Sequence, residues 1–291
     1  MLSKRALKAA VASVAAASTL FLTGCTQAEF GRAILMPLPE SASGVTNQTD
    51  NMIDFWNLSW AILWGVGALA WGLMFWAIIV YRRRKGDDHL PAQMRYNNPI
   101  EALFTIVPFI LVIGFFAMTA RTMKAIEAPN KAEVKIEVIA KQWSWDFNYK
   151  NENVYDAGIQ AQYNNTKTFD ESTLPTLYLP VNKEVAIDIE SRDVDHSFWV
   201  IDFLYKKDAL PGKVNHMYIT PTKTGLYRGK CAELCGEFHS MMLFNVKVVT
   251  QAEYDQHIAD LKAQGQSGQL SIDASRNQNL PGVTAPAKNE G

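Results

Sequence analysis

The sequence predicts a membrane α hairpin of two transmembrane helices followed by an all-β domain, and three observations carry that prediction. Two uncharged apolar runs lie close together, Phe55 to Tyr81 and Ala102 to Ala120. From Lys131 onward, short segments of alternating apolar and polar residues are separated by Gly and Pro. Late in the chain, Cys231-Ala232-Glu233-Leu234-Cys235-Gly236-Glu237-Phe238-His239-Ser240-Met241-Met242 gathers soft metal donors.

The totals narrow the classes further. A 48% apolar content in 291 residues excludes wholesale disorder. The formal net charge of -1, with no basic cluster outside the membrane flanks, argues against a nucleic-acid partner. Only three cysteines are present, two in the late cluster and one at position 25, so a disulfide framework is not indicated.

In chain order, Lys4, Arg5 and Lys8 followed by the apolar stretch Ala9 to Leu22 read as a secretory signal over 1–24. It ends Leu22-Thr23-Gly24-Cys25, which resembles the lipobox of bacterial lipoproteins and implies a lipidated Cys25; an ordinary signal with an incidental cysteine is the alternative. Residues 25–50, rich in Ser, Thr, Asn and Pro, read as an outer linker.

The hairpin is assigned to 51–125. At about 1.5 Å per residue its first run exceeds a hydrocarbon core of about 30 Å, and the second matches it. Arg82, Arg83, Arg84, Lys85 and Arg95 outweigh Asp87 and Asp88 in the connecting loop, which places that loop in the cytoplasm and both termini outside. The second helix opens Asn98-Pro99-Ile100-Glu101, with Asn98 as the expected N-cap, Pro99 at the first position and Glu101 in a capping box. Capping accounts for Glu101, although a carboxylate at the mouth of a membrane helix is also a candidate for proton uptake.

The β domain is assigned to 126–250. Strands are expected over 134–140 and 142–149, the latter with aromatic residues at every odd position and one buried face. Further strands are expected at 176–180, 185–189, 197–200, 215–219, 225–229 and 243–249, with 150–175 as a long loop. This pattern fits a sandwich or barrel. A helix over 251–264 and a disordered tail over 265–291 complete the chain.

The donor cluster reads Cys-x3-Cys-x3-His-x2-Met, and His196 stands upstream in Asp193-Val194-Asp195-His196-Ser197-Phe198. Thiolate, imidazole and thioether suit copper in an electron-transfer site, and two thiolates are able to bridge two ions. Three plainer alternatives remain at this point. A disulfide between the two cysteines would be permitted outside the membrane. A zinc site would leave Met242 without a role. The spacing would also suit one helix face, against which Gly236 argues.

Cys-Ala-Glu-Leu-Cys-Gly-x2-His-x2-Met, together with Asp-Val-x-His-Ser-Phe, resembles the binuclear copper A centre of subunit II of haem-copper cytochrome c oxidases. Gln142-Trp143-Ser144-Trp145, Asp208-Ala209-Leu210-Pro211-Gly212 and Glu101-x6-Pro108 extend the resemblance over nearly the whole chain, and the domain order is most similar to the actinobacterial lipoprotein form. The resemblance implies a cupredoxin fold in 126–250 and two copper ions. Cys231 and Cys235 would bridge them, with His196 and His239 as terminal ligands, and Met242 and the Glu233 carbonyl as weak ones. It further implies that the Glu233 side chain holds a magnesium shared with subunit I, that Trp143 receives electrons, and that Glu101 serves proton uptake. His216 and His257 match no ligand position. The implied assembly is an aa3-type oxidase in the bacterial plasma membrane, with subunits I and III, which reduces oxygen to water and pumps protons.

Family members that dock a soluble cytochrome c use an acidic surface. From Lys131 to Val249, 16 acidic and 14 basic side chains nearly balance, which fits a tethered donor: the membrane-bound dihaem cytochrome c of the actinobacterial supercomplex, with the 150–175 loop as a candidate contact. A quinol-oxidase subunit II would lack the metal donors, all of which stand here.

Overall fold

The computed structural model describes residues 43–86, 90–91, 93–129, 131–162 and 170–273. The signal segment and Cys25 lie outside the described residues. The chain divides into two compact units: one is built on the body of the first helix, and the other holds Ser41–Phe55 and everything from Leu90 onward.

Helix α1 (Thr49–Val80) carries no charge beyond its first two turns and is long and apolar enough to cross a membrane. Its 32 residues span about 48 Å. Trp56, Trp60 and Trp64 recur one turn apart and their rings follow one another at 6.1 and 6.4 Å.

Helix α2 (Asn98–Ile126) is the second helix able to cross a membrane. Its cap sits one residue earlier than expected. Asn97, not Asn98, accepts the Ile100 N–H, and the Glu101 carboxylate accepts the Asn97 N–H at 2.9 Å. Glu101 therefore reaches back over four residues rather than three, which still satisfies two free N–H groups of the first turn. The helix outlasts its uncharged run and ends on Ile126, whose side chain joins the core of the β domain. Directly after it, Glu127 pairs with Lys207 at 2.6 Å.

The β domain is two five-stranded sheets. The first, in the order β3-β2-β1-β5-β8, uses β1 (Val134–Lys141), β2 (Ser144–Tyr149), β3 (Val154–Ala157), β5 (Val185–Ser191) and β8 (Asn215–Ile219). The second, in the order β4-β10-β9-β6-β7, uses β4 (Thr176–Pro180), β6 (His196–Val200), β7 (Tyr205–Ala209), β9 (Gly225–Cys231) and β10 (Leu243–Val249). Parallel pairing of β1 with β5 and of β4 with β10 fixes the crossovers. Alternating inward residues fill the space between the sheets, as a sandwich requires. Trp145, Phe198 and Phe244 form its aromatic centre, with ring centroids 4.6 to 5.5 Å apart. Gly229 is needed there, because a Cβ on it would stand 2.2 Å from the Phe244 ring.

Four expectations need correction. Residues 142–149 are not one strand. The chain turns at Gln142-Trp143 between β1 and β2, and β2 is buried on both faces. Its polar face, Asp146 and Asn148, is covered rather than wetted, for two reasons. The first is that Arg192 and the chain at Gly158 lie over Asp146.

The second reason is the early part of the expected disordered tail, which is ordered to Asp273. Gly268 N–H donates to the Asn153 carbonyl, and Leu270 and the Asn148 amide exchange hydrogen bonds of 2.9 and 3.0 Å. A polar, aromatic-free composition hid this strap because its partners are backbone and amide groups, not an apolar face.

The third correction concerns 150–175, which holds β3 and a 3-10 turn at Glu171–Thr173 in addition to loop. The fourth is the linker, of which 43–48 packs on the domain. Val45 is fully buried, Thr46 bridges Pro221, and Thr222 N–H donates to the Val45 carbonyl at 2.9 Å.

The last helix, α3 (Gln251–Ala263), starts from a capping box between Thr250 and Glu253. It buries Tyr254, Ile258 and Leu261, one face at helical spacing.

Candidate metal centre

The loop joining β9 to β10 is shaped at both ends by backbone bonds. Cys231 N–H donates to the Met242 carbonyl at 3.0 Å, and Ala232 N–H donates to the Ser197 carbonyl of β6 at 3.0 Å. These bonds bring the head of β6, where His196 sits fully buried, beside the two ends of the loop. Within the loop, a 3-10 turn over His239–Met241 folds His239 and Met242 back toward Cys235.

The predicted donors converge. Cys231 Sγ lies 3.8 Å from His196 Nδ1 and 3.9 Å from Cys235 Sγ. Cys235 Sγ lies 3.5 Å from His239 Nδ1 and 3.8 Å from Met242 Sδ. The Glu233 carbonyl approaches Cys231 Sγ to 3.2 Å. Each thiol thus faces one imidazole, and each has one weak donor beside it. The sulfurs stand as free thiols, well beyond the bonding distance of about 2.05 Å for a disulfide. Among the described residues, His196, Cys231 and Cys235 are the group whose donor atoms all lie within 4.8 Å of one another.

Electrostatics inside the cluster concentrate negative charge on Cys231. Burial works against a charged imidazole at His196, but the Asp193 carboxylate and the Cys231 sulfur outweigh it and raise its pKa. Burial also opposes the Asp193 charge, yet bonds from His196 and the Gln142 and Val194 N–H groups lower its pKa. Its Oδ1 lies 2.8 Å from His196 Nε2, so the proton belongs on Nε2 and the Nδ1 lone pair is left facing Cys231. In the thiol pair, the Cys235 hydrogen bond holds Cys231 down, to about 3. The hydrogen bond with Cys231, then burial and the Cys231 charge, push Cys235 well up. One thiolate is shared by the two sulfurs, and a soft cation would take the place of the remaining proton.

Trp143, half-buried, donates its indole N–H to the Cys235 carbonyl at 3.3 Å, and its ring meets Phe238 edge-on at 4.9 Å. Glu233 and Leu234 are exposed, Leu234 at 78%. Glu101 belongs to the head of α2 and is not among the cluster's donors. His216 pairs with Asp188 at 2.8 Å, and His257 stacks on Tyr178 at 3.7 Å.

Two functional residues escape a reading by donor type. Gln142 donates its side-chain amide to the Cys235 carbonyl at 2.8 Å and its N–H to Asp193 at 2.7 Å. Asp193, three residues before His196, has a side chain only 1% exposed. The Asp-x-x-His spacing was the available sign.

A two-sheet β domain presenting thiols, imidazoles and a thioether, and preceded by two membrane-length helices, defines a membrane protein with a site fit for copper. Residues 134–249 match the family profile described as cytochrome C oxidase subunit II, periplasmic domain. A probable cytochrome c oxidase subunit 2 of Streptomyces avermitilis is 42% identical over 277 residues, covering 84% of each chain. The cytochrome c oxidase subunit 2 of Mycobacterium tuberculosis is 28% identical, covering 94% of this chain and 85% of its own. Among solved structures, the periplasmic domain of subunit II of cytochrome oxidase (CoxB) of Bradyrhizobium japonicum is 30% identical with a TM-score of 0.42. That match covers 46% of this chain and 97% of that one. The chain belongs to the cytochrome c oxidase subunit 2 family: it is subunit II of a haem-copper oxidase, an oxidoreductase complex, and its β domain is cupredoxin-like.

Proposed function

We propose that this chain is the copper A subunit of an aa3-type cytochrome c oxidase. The observation that carries the reading is the one-to-one facing of thiol and imidazole, His196 with Cys231 and His239 with Cys235. The thiolates of Cys231 and Cys235 would hold two coppers together with the imidazoles of His196 and His239, and Met242 and the Glu233 carbonyl would be their weak donors. A copper pair bound there supplies a one-electron relay between a c-type cytochrome and the haem of subunit I, where oxygen is reduced and proton pumping is driven.

The chain's own residues prepare that relay. His196, Cys231, Cys235 and Met242 are buried, so little water has to reorient when charge changes at the site. Trp143 lies partly at the surface and bonds to the Cys235 carbonyl, which gives its ring a hydrogen-bonded path from outside to a ligand. The exposed Glu233 side chain is the one to reach a magnesium at the boundary with subunit I. Glu101 first caps α2; any proton uptake uses the carboxylate oxygen left over from that bond.

The arginine-rich loop after α1 lies in the cytoplasm and the copper domain outside, with a lipid on Cys25 as a further anchor to the bacterial plasma membrane. Subunits I and III are the partners within the complex. The donor is a tethered dihaem cytochrome c in a supercomplex, in keeping with the near-balanced charge of the domain and the burial of Asp193, which removes one candidate docking charge. Copper analysis of the purified oxidase, combined with paramagnetic resonance, tests the reading. Two coppers assigned to this chain and a mixed-valence signal are expected; one copper or none, with all five side-chain ligands intact, would overturn it.

A further inference from the structure

We infer that Lys141, Asp146 and Arg192 form a buried positioning unit, which fixes at one point the turn that carries Trp143 and the turn that leads to His196. The inference rests on the roles given to Trp143 and His196 above, and adds residues to which those roles assign nothing.

The three side chains are 1%, 0% and 3% exposed. Lys141 Nζ donates to Asp146 Oδ1, and Arg192 Nη1 lies 2.9 Å from Asp146 Oδ2. Asp146 Oδ1 also accepts the Gly158 N–H at 3.0 Å, and Arg192 Nη2 donates to the Ser271 carbonyl of the strap at 2.9 Å. The Arg192–Asp146 contact is an ion pair and not an aligned hydrogen bond, since Arg192 Nη1, Arg192 Nε and Asp146 Oδ2 have no hydrogen-bond partner. Two cations around one carboxylate in a dry interior are a costly way to stabilise a fold. Well-packed apolar side chains of similar volume are commonly as good or better. Arrangements of this kind fix geometry instead, because a charged side chain tolerates few alternative positions when buried.

What this one fixes follows from chain order. Lys141 ends β1 and is followed at once by Gln142, whose amide N–H reaches Asp193 and whose side chain reaches the Cys235 carbonyl. Trp143 comes next and bonds to the same carbonyl. Arg192 follows the end of β5, donates its own N–H to the Ala140 carbonyl at 3.0 Å, and is followed by Asp193, which holds His196 Nε2. Asp146, on the facing strand β2, ties the two cations together. The indole and the imidazole are therefore both referred to one carboxylate through chain segments of no more than four residues.

The test uses the assembled oxidase with Arg192→Met, which leaves the Lys141–Asp146 pair in place, and with Arg192→Lys as the conservative control. Hydrogen exchange at the Gln142 amide, read in the metal-depleted complex, is expected to speed up about tenfold in Arg192→Met. Electron uptake from the native cytochrome is expected to slow by about tenfold, with copper content and melting temperature kept. Arg192→Lys should recover most of both effects. Unchanged exchange together with unchanged electron uptake would overturn the proposal. Because exchange is read without copper, a failure of the copper assignment leaves this readout intact and is seen separately in the metal content. If Arg192→Met does not fold, the apolar triple Lys141→Met, Asp146→Leu, Arg192→Met takes its place under the same criteria. Failure of both to fold would assign the cluster to stability alone and sink the idea.

Discussion

Gly236 lies so close against Trp143 that a Cβ on it would stand 3.2 Å from the indole Cζ2 and 3.3 Å from the Gln142 side-chain nitrogen. Its φ of +122° is one that other residues rarely adopt. The first glycine after the second cysteine is thus the floor on which the indole rests. Gly236→Ala is expected to cost about 1–3 kcal/mol of stability and to lift Trp143 off the Cys235 carbonyl. Stopped-flow reduction by the donor should slow while copper content is retained. A parent-like rate with a displaced indole would separate Trp143 from electron uptake.

Asp193 answers to three partners with its two oxygens, His196 and the Val194 N–H on one and the Gln142 N–H on the other. Asp193→Ala leaves His196 and the Gln142 N–H without this acceptor, at a cost of about 1–3 kcal/mol. Freed from its orienting bond, His196 is expected to hold metal about 10–100-fold more weakly. Competition of the oxidase for copper against a chelator of known strength measures this. Equal retention in parent and variant would contradict it.

Asp156 supplies a pH dependence whose sign is unusual for a carboxylate. Burial first, then the Asp146 charge, raise its pKa from 3.8 to about 6, and Lys141 only partly offsets them. The folded state therefore holds this proton more tightly than the unfolded chain does. Stability is lost as pH rises from about 4 to about 6, and it stays lost above that. The loss is at most about 3 kcal/mol, and less because part of Asp156 still meets water. Asp156→Asn should accordingly raise the melting temperature at pH 7.5 and lose that advantage near pH 4. An asparagine variant less stable than the parent at pH 7.5 would refute the sign.

Val45 belongs to the sandwich core although it precedes both membrane helices in sequence. Val45→Ala is expected to cost about 1–2 kcal/mol, and to quicken hydrogen exchange at the Thr222 amide, which donates to the Val45 carbonyl. An alanine replacement without effect on either measurement would show that the segment merely lies on the domain.

How much of this was legible in the sequence depended on whether a residue's role is set by its own chemistry or by a distant partner. The absence of charge from Phe55 to Tyr81 is decided locally, and α1 appeared where that run predicted it. The donors of the 231–242 loop announce themselves by atom type, and the fold brings Cys231 and Cys235 beside His196. The capping-box spacing pointed to Asn98, yet the cap is Asn97, which the Glu101 carboxylate reaches across one residue more. The polar face of β2 looked solvent-facing because nothing adjacent in sequence covers Asp146. Its cover comes from Arg192 and from Leu270, which lies 122 residues after Asn148. Asp193 is hidden from the sequence for the same reason: its partner Gln142 stands on a different strand connection.

The attachment of the 43–48 segment to the Thr220–Thr222 turn, taken with the Glu127–Lys207 pair, has a mechanical consequence. Both leads that join the β domain to membrane helices are pinned where they meet it, so no slack separates the domain from the head of α1 or the foot of α2. The attachment of the domain to the head of α1 and to the end of α2 is thus a matter of folded structure and not of the statistics of a linker.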